Sequence, residues 1–276
     1  MKSLFKQLKI TSAAILALTL TLQSYPGKQT VAQQAQEQKT LMDYIEINLE
    51  PTNRGQPTST SSTGRRGGGK GACRKLEPPL IALVPLSQKS LQEGANKESR
   101  YEVSAQTIES HPIFWFYLPK LDPRIQKVEF HLFDEEIEDI MQQPLPIDTT
   151  QTPAIIGFRL PKDKASLAVN SSYFWSIKVI CDAEETANNP SVAGFITRVA
   201  PETNLNKELE TATAREKVSI YARNNLWQEA FTTLALLRQD DLEDEAMAEA
   251  WLKLLQYTDF NHSKIADETN IFIYGE

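Results

Sequence analysis

Pro112-Ile113-Phe114-Trp115-Phe116-Tyr117-Leu118-Pro119 decides how the rest of the chain is read. Six consecutive apolar residues, four of them aromatic, lie between two prolines, which is the length and composition of a strand with a stop at each end. Side chains alternate along a strand, so Phe114, Phe116 and Leu118 share one face while Ile113, Trp115 and Tyr117 share the other. A sheet packed on one side accounts for the first set only. The second set needs either a cover or a use. A loop, the Asp43 to Leu49 segment or a helical tail would serve as cover. Left open, the face is an aromatic platform for a glycan or peptide, with Trp115 and Tyr117 as the ligand-binding residues.

Working outward, five more runs of strand length appear, each bounded by turn residues. They are Leu80 to Val84 before Pro85, Val128 to Phe133 before Asp134-Glu135-Glu136, Ile155 to Leu160 before Pro161, Tyr173 to Cys181, and Val192 to Val199. No helical period separates them, which predicts a mainly β domain over residues 73–200, built as an antiparallel sandwich. Alternation puts Val128, Phe130 and Leu132 inward, with Glu129 and His131 on a solvated outer face. It likewise groups Tyr173, Trp175, Ile177, Val179 and Cys181 opposite Ser176 and Lys178.

After Pro201 the period changes from two to that of a helix. Glu208 to Arg223 and Leu226 to Arg238 carry apolar residues at helical spacing around an Asn224-Asn225 break. Asp241 to Tyr257 makes a third helix, with Asp240 or Asp241 as its cap. Tyr221, Trp227, Ala230 and Leu234 resemble the helix pair of a tetratricopeptide repeat, without that repeat's early Trp and Leu-Gly. Residues 201–276 are therefore expected to form a small α-helical region, a hairpin plus one helix, packed on itself or on the sandwich. Its 15 acids against 7 bases leave it acidic.

The other end reads as a leader and a tether. Lys2, Lys6 and Lys9 precede the apolar stretch Ile10 to Leu22, and Thr30-Val31-Ala32 offers a small residue before a cut, so residues 1–32 are expected to be a cleaved signal peptide. A stretch of 13 residues, interrupted by small hydroxyl residues, falls short of the roughly 30 Å hydrocarbon core, so no transmembrane segment is expected in the mature chain. Residues 33–72 are a flexible segment and linker, in which 15 of the 23 residues from Glu50 to Ala72 are Gly, Pro, Ser or Thr. Within it, Gly64 to Gly71 matches a phosphate-binding loop up to Lys70. The Ser/Thr that should follow is Gly71, and no strand or helix flanks the motif, so it carries no nucleotide site.

The chain has 29 Lys+Arg against 36 Asp+Glu, a net charge of −7. Cleavage after residue 32 removes four lysines and no acid, leaving 25 cations against 36 acids, or −11. Such a charge argues against nucleic acid and anionic membrane surfaces as partners. The exception is local: Arg65, Arg66, Lys70, Arg74 and Lys75 fall together without an acid, either a solvated tether or a dock for an acidic partner. In an oxidising compartment the two cysteines read as a bridge, so a Cys73 to Cys181 disulfide is expected. Closing a loop of about 100 residues is worth up to roughly 4.7 kcal/mol in the chain-entropy view.

Catalytic patterns are missing. None of His111, His131 and His262 lies in an H-E-x-x-H arrangement, no G-x-S-x-G elbow occurs, and paired cysteines are not nucleophiles. Glu129 and His131 form an acid/base pair only if the face they share is not simply solvated. Asp134-Glu135-Glu136 lacks the spacing of a calcium loop and reads as a turn. No metal or cofactor is expected. Asn170-Ser171-Ser172 and Asn261-His262-Ser263 are glycosylation patterns that matter only in a eukaryotic secretory route.

Two resemblances add to this. Leu167, Asn170-Ser171-Ser172 and Tyr173 ahead of an alternating strand resemble the corner of immunoglobulin-like and fibronectin III-like sandwiches, where a tyrosine braces the turn. The ordered set Gly67 to Cys73, Leu80 to Pro85, His111 to Pro119, Tyr173 to Asp182 and Gly194 to Val199 resembles a cyanobacterial exported family known only as domain of unknown function 928. That resemblance spans roughly residues 65–275 and implies an envelope or secreted protein, with no catalytic residue to carry over. The function expected is a non-catalytic binding or adaptor module of the cell envelope, periplasmic or secreted, recognising a protein or glycan partner. The alternative is a hydrolase of envelope polysaccharide or peptide, for which Glu129 and Asp182 are the only acids to propose.

Overall fold

The computed structural model describes residues 76–91, 98–125, 127–136, 138–181, 189–258 and 270–275. Ten strands form two sheets. The first holds β1 (Ile81–Ala82), β4 (Ile113–Leu118), β7 (Ala154–Arg159) and β10 (Ile271–Tyr274), in that spatial order. The second is six-stranded, in the order β2 (Leu86–Leu91), β3 (Glu98–Thr107), β9 (Ser191–Arg198), β8 (Ser172–Ile180), β5 (Lys127–Phe133) and β6 (Asp139–Leu145). Four helices follow: α1 (Thr203–Thr211), α2 (Ala214–Arg223), α3 (Trp227–Asp240) and α4 (Glu245–Gln256).

All six strand-length runs are strands. The expectation of a purely antiparallel fold is corrected, because each sheet is mixed: β10 runs parallel to β7, and β3 runs parallel to β9. Parallel neighbours need a long crossover, and here the helices supply it for β10 and five intervening strands supply it for β9. The helical reading of residues 201–276 did not anticipate β10, which carries the chain back from the helices to the first sheet. Strands β2, β3 and β6 were also unread. Their sequences, Leu-Ser-Gln-Lys-Ser-Leu, Glu-Ser-Arg-Tyr-Glu-Val-Ser-Ala-Gln-Thr and Asp-Ile-Met-Gln-Gln-Pro-Leu, contain no apolar run. Pro144 is tolerated in β6 because that strand is a sheet edge.

The inner faces of the two sheets meet through aromatic rings. Phe114 of β4 lies 4.8 Å from Phe130 of β5 and 5.5 Å from Trp175 of β8, and Phe158 of β7 closes the cluster 4.8 Å from Phe130. The opposite face of the first sheet is covered by the helices. Trp115 contacts Phe231 of α3 edge-on at 5.5 Å, and its indole N–H donates to Thr232 Oγ1 at 2.8 Å. Phe231 in turn lies 4.7 Å from Trp251 of α4. One hydrophobic core therefore runs from the second sheet through the first into the helical layer.

Trp115 and Tyr117 are corrected as ligand-binding residues: they are 0% and 2% exposed, and the helical tail is the cover that Ile113–Leu118 required. Gly157 sits opposite Trp115 on β7, where an added Cβ would stand 2.9 Å from the indole and 2.8 Å from Ile113 Cγ2. The absent side chain is what lets the indole approach that strand so closely.

Helix starts follow capping chemistry. Thr213 and Glu216 form a reciprocal capping box that divides α1 from α2, a break the apolar period does not reveal. Asp244, rather than Asp240 or Asp241, caps α4 by accepting from Met247 N–H at 3.1 Å. At the other corner the sequence reading holds: Tyr173 Oη accepts from Ala168 N–H at 2.9 Å, and Asn170 takes a positive φ of 63°. Among the described residues no helix is long and apolar enough to cross a membrane.

Candidate functional site

The outer face of the six-stranded sheet carries side chains that are half-buried or exposed on β8 and β9 and mostly buried on β5. Pairing builds it in rungs. Phe133, Phe174 and Phe195 stand opposite one another on β5, β8 and β9; below them come His131, Ser176 and Ala193, then Glu129, Lys178 and Ser191. The three rings form a row, with centroids 5.9 Å apart for Phe133 and Phe174 and 5.3 Å for Phe174 and Phe195. Phe195 is 39% exposed, and Phe133 and Phe174 are half-buried.

The second rung holds a compact charge cluster. His131 Nε2 lies 3.4 Å from Glu129 Oε2, and His131 Nδ1 lies 3.5 Å from Asp139 Oδ2. A register shift between β5 and β6 at Leu132/Phe133 brings Asp139 opposite Phe133 and so within reach of the imidazole. Lys127 Nζ sits 2.5 Å from Glu129 Oε1. That ammonium, with a smaller contribution from His131, holds the Glu129 carboxyl below its ordinary value despite partial burial. The expectation that Glu129 and His131 are solvated is corrected, since their side chains are only 10% and 9% exposed. Lys127 and Asp139 flank them, and the His131 ring stacks parallel to Phe133 at 6.1 Å.

A hydrolytic centre needs a nucleophile in reach of its base. Among the described residues His131 Nε2 has no hydrogen-bond partner, and no group of three His, Cys, Asp or Glu side chains is arranged to hold a metal ion. Ser110 Oγ and His111 Nδ1 are 2.9 Å apart as sequence neighbours, and among the described residues no ion pair joins His111 to a carboxylate. Asp182, Asn261 and His262 lie outside the described residues, as do Cys73, the Gly64 to Gly71 segment and the leader. Asp134 Oδ1 accepts from Glu136 and Glu138 N–H, so that acidic stretch is a turn, as expected. Cys181 follows β8 and is not a free thiol.

A second buried polar cluster among the described residues ties layers together. Glu229 of α3 accepts from Thr107 Oγ1 at 2.5 Å and Ile108 N–H at 2.9 Å, tying the helical layer to the end of β3. Among the described residues its Oε2 has no partner, and burial pushes its carboxyl above the ordinary value. The Gln228 amide donates to Ile113 O beside it. Arg238 lies over the Trp251 ring, 5.6 Å from its centroid.

The profile of Domain of Unknown Function (DUF928) matches residues 61–269. The chain belongs to this family. The DUF928 match spans β1 to β9 and all four helices, so both the ring row and the helical cover of the first sheet fall within it. No curated protein matches the chain. Sequence reading missed Phe174 and Phe195. A signal was present, since alternation places Phe133 with His131, Phe174 with Ser176 and Phe195 with Ala193, each a ring at an otherwise small or polar outward position. The strand order that sets the three side by side was not readable.

Proposed function

We propose that the chain is an exported, non-catalytic binding or adaptor module of a cyanobacterial cell envelope, with the outer face of the six-stranded sheet as its contact surface. The observation that carries this reading is the row Phe133–Phe174–Phe195 on the outer face, with Phe195 39% exposed. Apolar rings set among polar outward positions are expensive to leave in water unless they are used. Export rests on the basic residues ahead of Ile10 to Leu22 and on Cys181 not being a free thiol, for which Cys73 is the partner we assign. The Tyr173 corner and the face-to-face sheets support kinship with immunoglobulin-like sandwiches. Residues 1–32 are then the leader and 33–72 the tether.

The test is co-sedimentation of the mature protein with a washed cyanobacterial envelope fraction. Wild type should pellet with it, and Phe174→Ser/Phe195→Ser should stay in the supernatant with an unchanged near-UV circular dichroism spectrum. Wild type that does not pellet, or a double variant that pellets equally, overturns the reading.

A further inference from the structure

Arg238 stands in the last turn of α3 and is 5% exposed, yet among the described residues its Nε and Nη1 have no hydrogen-bond partner. Its guanidinium lies over the ring of Trp251 on α4, 5.6 Å from the centroid. The Trp251 indole Nε1, on a side chain that is 0% exposed, is also without a partner. Three buried nitrogen donors thus gather in one corner of the helical layer, and no described residue supplies them an acceptor. An arginine side chain cannot shed its proton to escape the cost of burial. Burial pushes its pKa down and no carboxylate offsets that, so among the described residues no acid answers the charge. The Trp251 ring attracts the guanidinium without accepting from Nε or Nη1. The negative end of the α3 dipole is near, but it amounts to only about half an elementary charge.

Donors without acceptors, set around one fixed positive charge, select the opposite chemistry. What suits them is a negatively charged group with several oxygens, able to accept from the guanidinium and from the indole. Because Arg238 is already enclosed, that group must be small. We propose that Arg238 and Trp251 form a binding site for a small oxyanion, inorganic phosphate or sulfate or a carboxylate. The site belongs to the helical layer and goes beyond the sheet-face reading, so that neither depends on the other.

The test is thermal unfolding of the mature protein in phosphate, sulfate or acetate against chloride at one ionic strength, which holds general screening constant. An oxyanion should raise the wild-type midpoint saturably, by about 3–6 °C at tenfold excess over its dissociation constant. Phosphate or sulfate acting without acetate assigns the site to an inorganic oxyanion, and acetate acting without them assigns it to a carboxylate. Arg238→Met keeps the apolar stem and removes the charge. Its midpoint in chloride should be no lower than that of wild type, and the anion-specific rise should vanish. Trp251→Phe keeps a ring beside the guanidinium and removes the indole N–H, and should weaken binding at least about tenfold, the loss typical of a hydrogen bond to a charged group. Equal rises in wild type and Arg238→Met are general salt stabilisation and overturn the site. A wild-type midpoint that does not differ between these anions and chloride overturns it too, and a lower chloride midpoint in Arg238→Met would then mean that the guanidinium is already paired within the chain.

Discussion

β4 and β8 are both aromatic strands in the middle of a sheet, yet they meet different surroundings. Every residue of β4 is buried, whereas β8 alternates between buried and half-buried along its length. The difference lies in what stands behind each sheet. The first sheet is sandwiched between the second sheet and the helices, so Trp115 reaches Phe231 while Phe114 reaches Phe130. On the second sheet Trp175 is core, while its neighbour Phe174 is half-buried and joins the outer row. An unbroken apolar run therefore reports two covered faces, not a binding platform. The better marker of a contact surface is a large ring in the polar register of an alternating strand.

That contrast can be broken at several points. Trp115→Ala empties the space between Gly157 and Phe231 and removes the bond to Thr232; we expect a loss of about 3–5 kcal/mol in urea unfolding. A change below about 1 kcal/mol would mean that the helices do not pack on this face as described. Gly157→Ala tests the same contact from the opposite side. Its Cβ has no room beneath the indole and Ile113, and overpacking of this kind costs about 1–3 kcal/mol, seen as a lower thermal midpoint.

Glu229 sharpens the comparison through pH. Its folded pKa is raised by burial, so between an unfolded value of about 4.3 and that raised value the unfolded chain releases a proton that the folded chain keeps. Its contribution to stability thus declines as pH rises through this window. Glu229→Gln keeps an oxygen for Thr107 and Ile108 and removes the titration, so its urea midpoint should depend less on pH between about 4 and 8 than the wild-type midpoint does. An unchanged slope would show that Glu229 is already ionised in the fold. The smallest effect is expected at Phe195. Phe195→Ser should shift stability by no more than about 0.5 kcal/mol, because its ring is part of the outer row rather than the core. A loss comparable to that of Trp115→Ala would place Phe195 under a cover and end the idea of an open row.

What was legible in the sequence was local. The runs at Ile113–Leu118, Val128–Phe133 and Tyr173–Cys181 are strands because β-rich apolar residues end at proline or acidic turns, and Tyr173 braces its corner because its ring and hydroxyl follow a short polar turn. The helical period beyond Pro201 was equally plain. Polar strands were not legible. β2, β3 and β6 hold few apolar residues and take their conformation from the ladders they join, which are non-local pairings.

By itself, then, the sequence determined which segments extend, which coil into helices, and that Ile113–Leu118 needed something on both sides. Only the tertiary structure decided what that something was. Whether Trp115 meets water or Phe231 depends on where a helix more than a hundred residues later comes to rest. Whether Phe133, Phe174 and Phe195 are three scattered rings or one row depends on strand order and register, fixed by hydrogen-bond ladders and by one irregular step between β5 and β6. Alternation assigns each side chain a face within its own strand. Which strands become neighbours, and which face remains open, is set by packing the layers together, because burial is a property of the assembled core and not of any one segment.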